Sequence, residues 1–196
     1  MTSTPRVGVL ALQGAFAAHQ RRLADIGIVA PAIRTAEQLA QVDALVMPGG
    51  ESTTMSHLMR TNDLFEPIAD RITGGMAVLG TCAGMIMCAS DVLDGRPDQR
   101  SFGAIDLTVR RNGYGRQLAS FEVDLDVDGL ETPFHAVFIR APVAERVGAD
   151  VEVLAEHHGV PVLLRHGACT VASFHPELTP DARLHRLFVD SLCASR

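Results

Sequence analysis

Along the first eighty residues, short unbroken apolar runs alternate with stretches whose apolar positions recur at helical spacing. Val7 to Leu12, Val29 to Ile33, Ala44 to Met47 and Met76 to Leu79 are the runs, too short for helices and of ordinary strand length. Between them, Ala15 to Ile26 carries Phe16, Leu23 and Ile26 on one helical face. Ala36 to Ala40 starts a short helix, and Ser52 to Leu58 and Leu64 to Ile72 continue the helical pattern. Strands apolar on both faces and separated by helices predict a parallel sheet covered on both sides.

From Phe102 the texture changes. Ala104 to Val109, Phe121 to Val127, His135 to Ile139, Val151 to Ala155, Val160 to Leu164 and Ala168 to Phe174 are short β-like runs. Turn signals at Asp128-Gly129 and His158-Gly159 predict hairpins and hence antiparallel pairing. Asp181 to Leu192 reads as a closing helix with Leu184, Leu187, Phe188 and Leu192 on one face. The expected fold class is α/β: a three-layer sandwich with a largely parallel central sheet and an antiparallel extension. No Pro/Gly/Ser linker divides the chain, so residues 1–196 read as one domain.

Composition narrows the function classes. Hydrophobic residues make up 47% and charged residues 20%, the balance of a chain that buries a core. With no tryptophan and one tyrosine, aliphatic side chains must fill it. The formal net charge is -6 and the basic residues are dispersed, which argues against nucleic acid or an anionic membrane as partner. The N-terminal apolar segment is too short for a secretory signal and no run approaches a membrane span, so a cytoplasmic location is expected. The cysteines at 82, 88, 169 and 193 form no C-x-x-C pair and read as reduced thiols. No His/Cys cluster has ligand spacing, so no metal is expected.

One cysteine stands in a special setting. Met76 to Leu79 leads into Gly80-Thr81-Cys82-Ala83-Gly84 and then into helix-compatible Met85 to Ala89. A strand, a G-x-C-x-G turn and a helix make a nucleophile elbow with cysteine in place of serine. The glycines leave room where side chains would clash, and a helix N-terminus favours the thiolate. Ala83 N–H is positioned to meet the oxyanion formed after attack. A base is still needed. Of the eight histidines, His175 is singled out because Val171 to Phe174 is a strand ending in His175-Pro176-Glu177. The C-terminal ends of such strands face the crevice of the sheet. Pro176 restricts the backbone between imidazole and carboxylate, so His175 can move the thiol proton while Glu177 fixes its tautomer. Most of the histidines read as ordinary surface or partly buried residues.

The elbow and the distant H-P-E together resemble the class I, triad-type glutamine amidotransferases. Further segments are similar to one subfamily, the glutaminase subunits of pyridoxal 5'-phosphate synthase. They are Gly8 to Phe16, Pro48 to Met55, Gly80 to Ile86, Arg111 to Gln117, Phe138 to Pro142 and Ser173 to Thr179, and they span nearly the whole chain. Gly113 and Tyr114 depart from the family's usual small or polar residue and Phe, which bears on local packing. The resemblance implies that L-glutamine is hydrolysed to L-glutamate and that ammonia passes to a separate synthase subunit, which builds the vitamin. No cofactor is implied for this chain.

By the same resemblance, Cys82 would be nucleophile, His175 general acid/base and Glu177 its orienter. Gly50, Glu51 and Ser52 would line the glutamine pocket, completed by Arg111, Ile139 and Arg140. Free glutamine needs a guanidinium for its carboxylate and acceptors for its ammonium. Arg111 or Arg140 suits the first and Glu51 the second. Ala83 N–H and backbone near Gly49-Gly50 could form the oxyanion hole, with Gln13 in support. Two alternatives compete: a glutaminase subunit of another amidotransferase, and a non-catalytic docking subunit. The Gly50 to Met55 and Arg111 to Gln117 runs argue against the first, and the intact Cys82, His175 and Glu177 set against the second. The resemblance also implies weak glutaminase activity until the synthase subunit binds.

Overall fold

A computed structural model describes residues 4–111, 113 and 120–194. The first half is built as strand and helix in alternation: β1 (Val7–Leu10), α1 (Phe16–Asp25), β2 (Ala32–Ile33), α2 (Ala36–Leu39), β3 (Ala44–Met47), α3 (Ser52–Thr61), α4 (Phe65–Thr73), β4 (Ala77–Thr81) and α5 (Ala83–Cys88). The second half is mostly strand: β5 (Ala89–Val92), β6 (Ile105–Arg110), β7 (Ser120–Leu125), β8 (Phe134–Ile139), β9 (Val143–Val147), β10 (Glu152–His157), β11 (Val160–His166) and β12 (Cys169–Ala172). A 3-10 turn, Pro176–Leu178, precedes α6 (Arg183–Ala194).

The main sheet has the order β10-β11-β12-β4-β3-β1-β2. From β12 to β2 all neighbours are parallel, while β11 and β10 add antiparallel strands at one edge. β1, β3, β4 and β12 are buried at every position, as strands covered on both faces must be. On one face Leu45, Met47, Val78 and Val171 pack with Met55, Met59, Ile68 and Met85 from α3, α4 and α5. On the other, Val9, Val46, Leu79 and Ala172 pack with Leu23 of α1, Leu184 and Phe188 of α6 and Phe134 and Phe138 of β8. Small sheets extend the two layers: β5-β6-β9 beside the first cluster and the β7-β8 hairpin beside the second.

The expected three-layer α/β architecture with an antiparallel extension is therefore present. Local departures have physical reasons. The run Val29 to Ile33 pairs only at Ala32–Ile33, because the segment before it folds back on the end of α1. Ile28 N–H donates to Leu23 O and Gln20 donates to Ala30 O, which leaves Val29 93% exposed. β5 and β9 are strands the apolar pattern does not announce: Ala89–Val92 is half polar and Val143–Val147 holds an adjacent Glu145-Arg146. Both are ordered by pairing with β6.

One aromatic group joins the fold to the site. Phe174 is fully buried between Phe134 and Phe138, with ring centroids 5.9 and 5.5 Å away. Removing such a ring costs about 3–5 kcal/mol. The next residue is His175, whose N–H donates to Val137 O of β8 at 2.8 Å. The core thus fixes the backbone that carries His175.

Candidate active site

β4 and β12 are parallel neighbours in register, Thr81 opposite Ala172, so their C-terminal ends deliver Cys82 and His175 to one edge of the sheet. Cys82 has φ +50° and ψ −105°, a conformation costly for a residue with a side chain, about 1–3 kcal/mol. Surrounding bonds hold it there. Its N–H donates to Ala172 O at 2.8 Å, and its carbonyl accepts from Met85 N–H at 3.0 Å to open α5. The flanking glycines serve close packing: a Cβ on Gly80 would lie 2.6 Å from Gly84 O, and one on Gly84 would lie 2.2 Å from Met47 O. Ala83, at the first position of α5, is buried, and its N–H has no partner within the helix.

His175 Nδ1 and Glu177 Oε1 are 2.8 Å apart across the 3-10 turn opened by Pro176. Glu177 is 4% exposed. Burial, the largest single influence on each group, opposes the charged form of both. It is outweighed at His175 by hydrogen bonds to Cys82 and Glu177, which raise its pKa to about 10. At Glu177 it is outweighed by the hydrogen bond from His175 and by the influence of the His19 and His175 imidazoles, so the carboxyl stays below its usual range. The proton is held on the imidazole, between sulfur and carboxylate. A thiol, an imidazole and a carboxylate in series are the parts of a nucleophilic acyl-transfer site.

His19 and His185 are not surface residues. Both are fully buried, on the sheet-facing sides of α1 and α6. His19 Nδ1 lies 2.9 Å from His185 Nε2, and its Nε2 lies 3.1 Å from Thr81 Oγ1 and 3.3 Å from Glu177 Oε2. The sequence carried a signal for this: His19 falls four residues before Leu23 and three after Phe16, and His185 lies beside Leu184.

In front of Cys82 and His175 is a cavity of about 220 Å³, lined by Gly50, Glu51, Ser52, Cys82, Ile86, Arg111, Ile139, Arg140 and His175. All the expected pocket residues meet there, with Ile86 in addition. Ala83 and Glu177 stand behind Cys82 and His175. Gln13 also stands outside the cavity, in the loop after β1, bracing its rim. Its Nε2 donates to Glu51 O at 2.6 Å. Ile139 O lies 3.9 Å from Cys82 Sγ, and the following Arg140 has φ +45°, a strained value for a bulky residue.

The Glu51 carboxylate, expected to face an ammonium group, is already engaged. It caps α3, accepting from Thr53 N–H at 3.0 Å and Thr54 N–H at 2.7 Å, and it pairs with Arg111 Nη2 at 3.3 Å. Partial burial pushes its pKa up, but the hydrogen bonds from Thr54 and Thr53 prevail and hold it at about 2. Arg111 Nη1 donates to Thr53 Oγ1 at 3.0 Å and to Gln99 Oε1 at 3.1 Å. Gln99 also donates to Ser52 Oγ at 3.2 Å. It ties both walls of the cavity, and sequence reasoning missed it. Asn112 and Tyr114 to Gln117, which carried part of the resemblance, lie outside the described residues.

A crystal structure of a glutamine amidotransferase superposes with a TM-score of 0.89 at 48% identity, covering 94% of this chain and 97% of that one. A protein from Thermoplasma acidophilum, described as part of a putative GMP synthase, shares the fold at a TM-score of 0.70 and 16% identity, over 100% of this chain and 98% of its own. The chain belongs to the SNO glutamine amidotransferase family, whose profile matches residues 9–194. Among curated relatives, the pyridoxal 5'-phosphate synthase subunit PdxT of Frankia alni is 55% identical over 98% of both chains. The protein of the same name from Streptomyces coelicolor is 53% identical over 100% of this chain and 98% of its own.

Proposed function

We propose that this chain is the glutaminase subunit of a pyridoxal 5'-phosphate synthase, hydrolysing L-glutamine to L-glutamate and ammonia through Cys82, His175 and Glu177. The observation that carries the reading is the series of thiol, imidazole and buried carboxylate behind a cavity walled by Arg111 and Arg140. Relatives that are 55% identical and named as subunits of that synthase supply the biosynthetic setting.

Cys82 Sγ attacks the carboxamide carbon of glutamine, and the tetrahedral oxyanion is met by Ala83 N–H. His175 passes its proton to the departing nitrogen, so the C–N bond breaks, ammonia leaves and a thioester remains. Water then attacks the thioester, giving its proton to His175, and glutamate is released with Cys82 restored. Throughout, Glu177 faces the imidazole Nδ1 and stabilises its charged form. Arg111 or Arg140 would take the substrate carboxylate. Glu51 would meet the ammonium only by sharing a carboxylate that already caps α3. Cys82, Cys88 and Cys169 are free thiols, as a cysteine nucleophile requires, and a cytoplasmic setting suits it.

The synthase subunit is the expected partner and receiver of ammonia. Glutamate release from glutamine, measured for the chain alone, with the synthase subunit, and with Cys82→Ala, tests the reading. Activity should be weak alone, rise in the complex and vanish in Cys82→Ala. Full activity in the free chain would remove the dependence on the partner. A Cys82→Ala complex as active as wild type would remove the catalytic role.

A further inference from the structure

We propose that His19 is a positioning residue for the glutaminase reaction, a neutral donor whose Nε2–H holds the far oxygen of Glu177 so that the near oxygen stays on His175. The inference rests on the reading of Glu177 as the orienter of His175.

Glu177 has one oxygen on His175, Oε1 at 2.8 Å. Its other oxygen, Oε2, is enclosed and makes no full hydrogen bond. His19 Nε2 lies 3.3 Å from it, in a contact shared with Thr81 Oγ1 at 3.1 Å. A carboxylate only accepts, so a lone pair on His19 Nε2 would face it repulsively, and the nitrogen must carry the hydrogen. With Nε2 protonated in a neutral ring, Nδ1 is an acceptor. His185 Nε2, 2.9 Å away, must then be the donor. That leaves His185 Nδ1 as the deprotonated nitrogen, and this atom is buried without a partner. An unmet acceptor there costs less than an unmet donor.

The ring hydrogens of His19 and His185 are thus assigned by one constraint, the acceptor-only character of Glu177. Burial supports neutrality, since it lowers His19 to about 4 despite the charge of Glu177. Burial also takes His185 well below its ordinary value, and the Arg22 guanidinium acts in the same direction. The series runs from α6 through α1 to the triad, so two helices that never reach the cavity set the angle of Glu177.

The test uses the complex with the synthase partner and compares wild type, Cys82→Ala, His19→Leu and His19→Gln. Rates are expressed per active site, counted by alkylation of Cys82 with a glutamine-shaped electrophile. His19→Leu should lower kcat about tenfold to a hundredfold, with KM within about twofold, because an interaction with a charged group is lost. The amide of His19→Gln can present N–H near the same point and should recover most of kcat. Histidine-labelled protein should show His19 in the Nε2-protonated form by nitrogen chemical shift. A wild-type kcat per site in His19→Leu, or His19→Gln no better than His19→Leu, would overturn the proposal. So would a His19 proton on Nδ1, a measurement that needs no variant to fold and no turnover. Loss of activity in wild type, or its persistence in Cys82→Ala, would instead remove the glutaminase reading, while the tautomer still decides the role of His19.

Discussion

Cys82, His175 and Glu177 are set by backbone at the ends of buried strands, whereas Glu51, Arg111 and Gln99 are set by one another's side chains at a more open rim. The first group follows the C-terminal ends of β4 and β12, among residues almost wholly enclosed. The second is joined by hydrogen bonds across long sequence separations, and the Glu51 side chain is half exposed. A bond-making group misplaced by an ångström loses its rate, while a binding group can adjust with its ligand. The floor therefore has little freedom and the rim has more.

The largest effect should come from filling the floor. A Cβ on Gly49 would lie 2.5 Å from His175 Cε1 and 3.3 Å from Cys82 Cβ. Gly49→Ala should therefore lower kcat by about 100-fold or more, with a smaller change in melting temperature, because the clash falls on the His175 and Cys82 side chains rather than on backbone. Glutamate release in the complex, beside a thermal melt, checks this. Near-wild-type kcat would mean that the floor is as yielding as the rim.

The rim should answer in binding. Gln99→Ala removes an acceptor of Arg111 and the bond to Ser52, so the guanidinium loses its anchor while its charge remains. KM for glutamine should rise about tenfold or less, with kcat within about twofold. Arg111→Lys should act in the same direction, since one ammonium cannot bond Thr53, Gln99 and Glu51 together as the fork does. A fall in kcat with unchanged KM would move Arg111 from the rim to the floor.

The same division governs what could be read without coordinates. Ala44–Met47 and the Gly80 to Gly84 elbow were legible because strand, turn and glycine spacing are local facts. His175-Pro176-Glu177 was legible because three consecutive residues carry imidazole, constraint and carboxylate. His19 and His185 had a readable position, on apolar helix faces, but their meeting depends on α1 and α6 packing side by side over β4. Gln99 had no readable signal. It sits in a polar stretch with no periodicity, and its contact with Ser52 spans 47 residues of sequence. β9 was hidden likewise, its Glu145-Arg146 breaking the apolar alternation until β6 supplies a partner.

The smallest effect concerns stability. Glu51 is both a rim residue and the cap of α3, and its carboxyl is held at about 2 against an ordinary 4.5. A carboxyl depressed in the folded state stabilises above its unfolded pKa, so its contribution is full above about pH 4.5 and is lost as pH falls towards 2. The side chain is half exposed, and solvent screening keeps the contribution below about 1 kcal/mol. Denaturant melts of wild type and Glu51→Gln should differ at pH 7, draw together below about pH 4.5 and converge only near pH 2. A gap undiminished at pH 2 would mean that something other than the charge beside Arg111 and the α3 N-terminus is what Glu51 supplies. Convergence would mean that the charge which orders Arg111 also ties down α3, so that recognition at the rim and the folding of its supporting helix draw on one carboxylate.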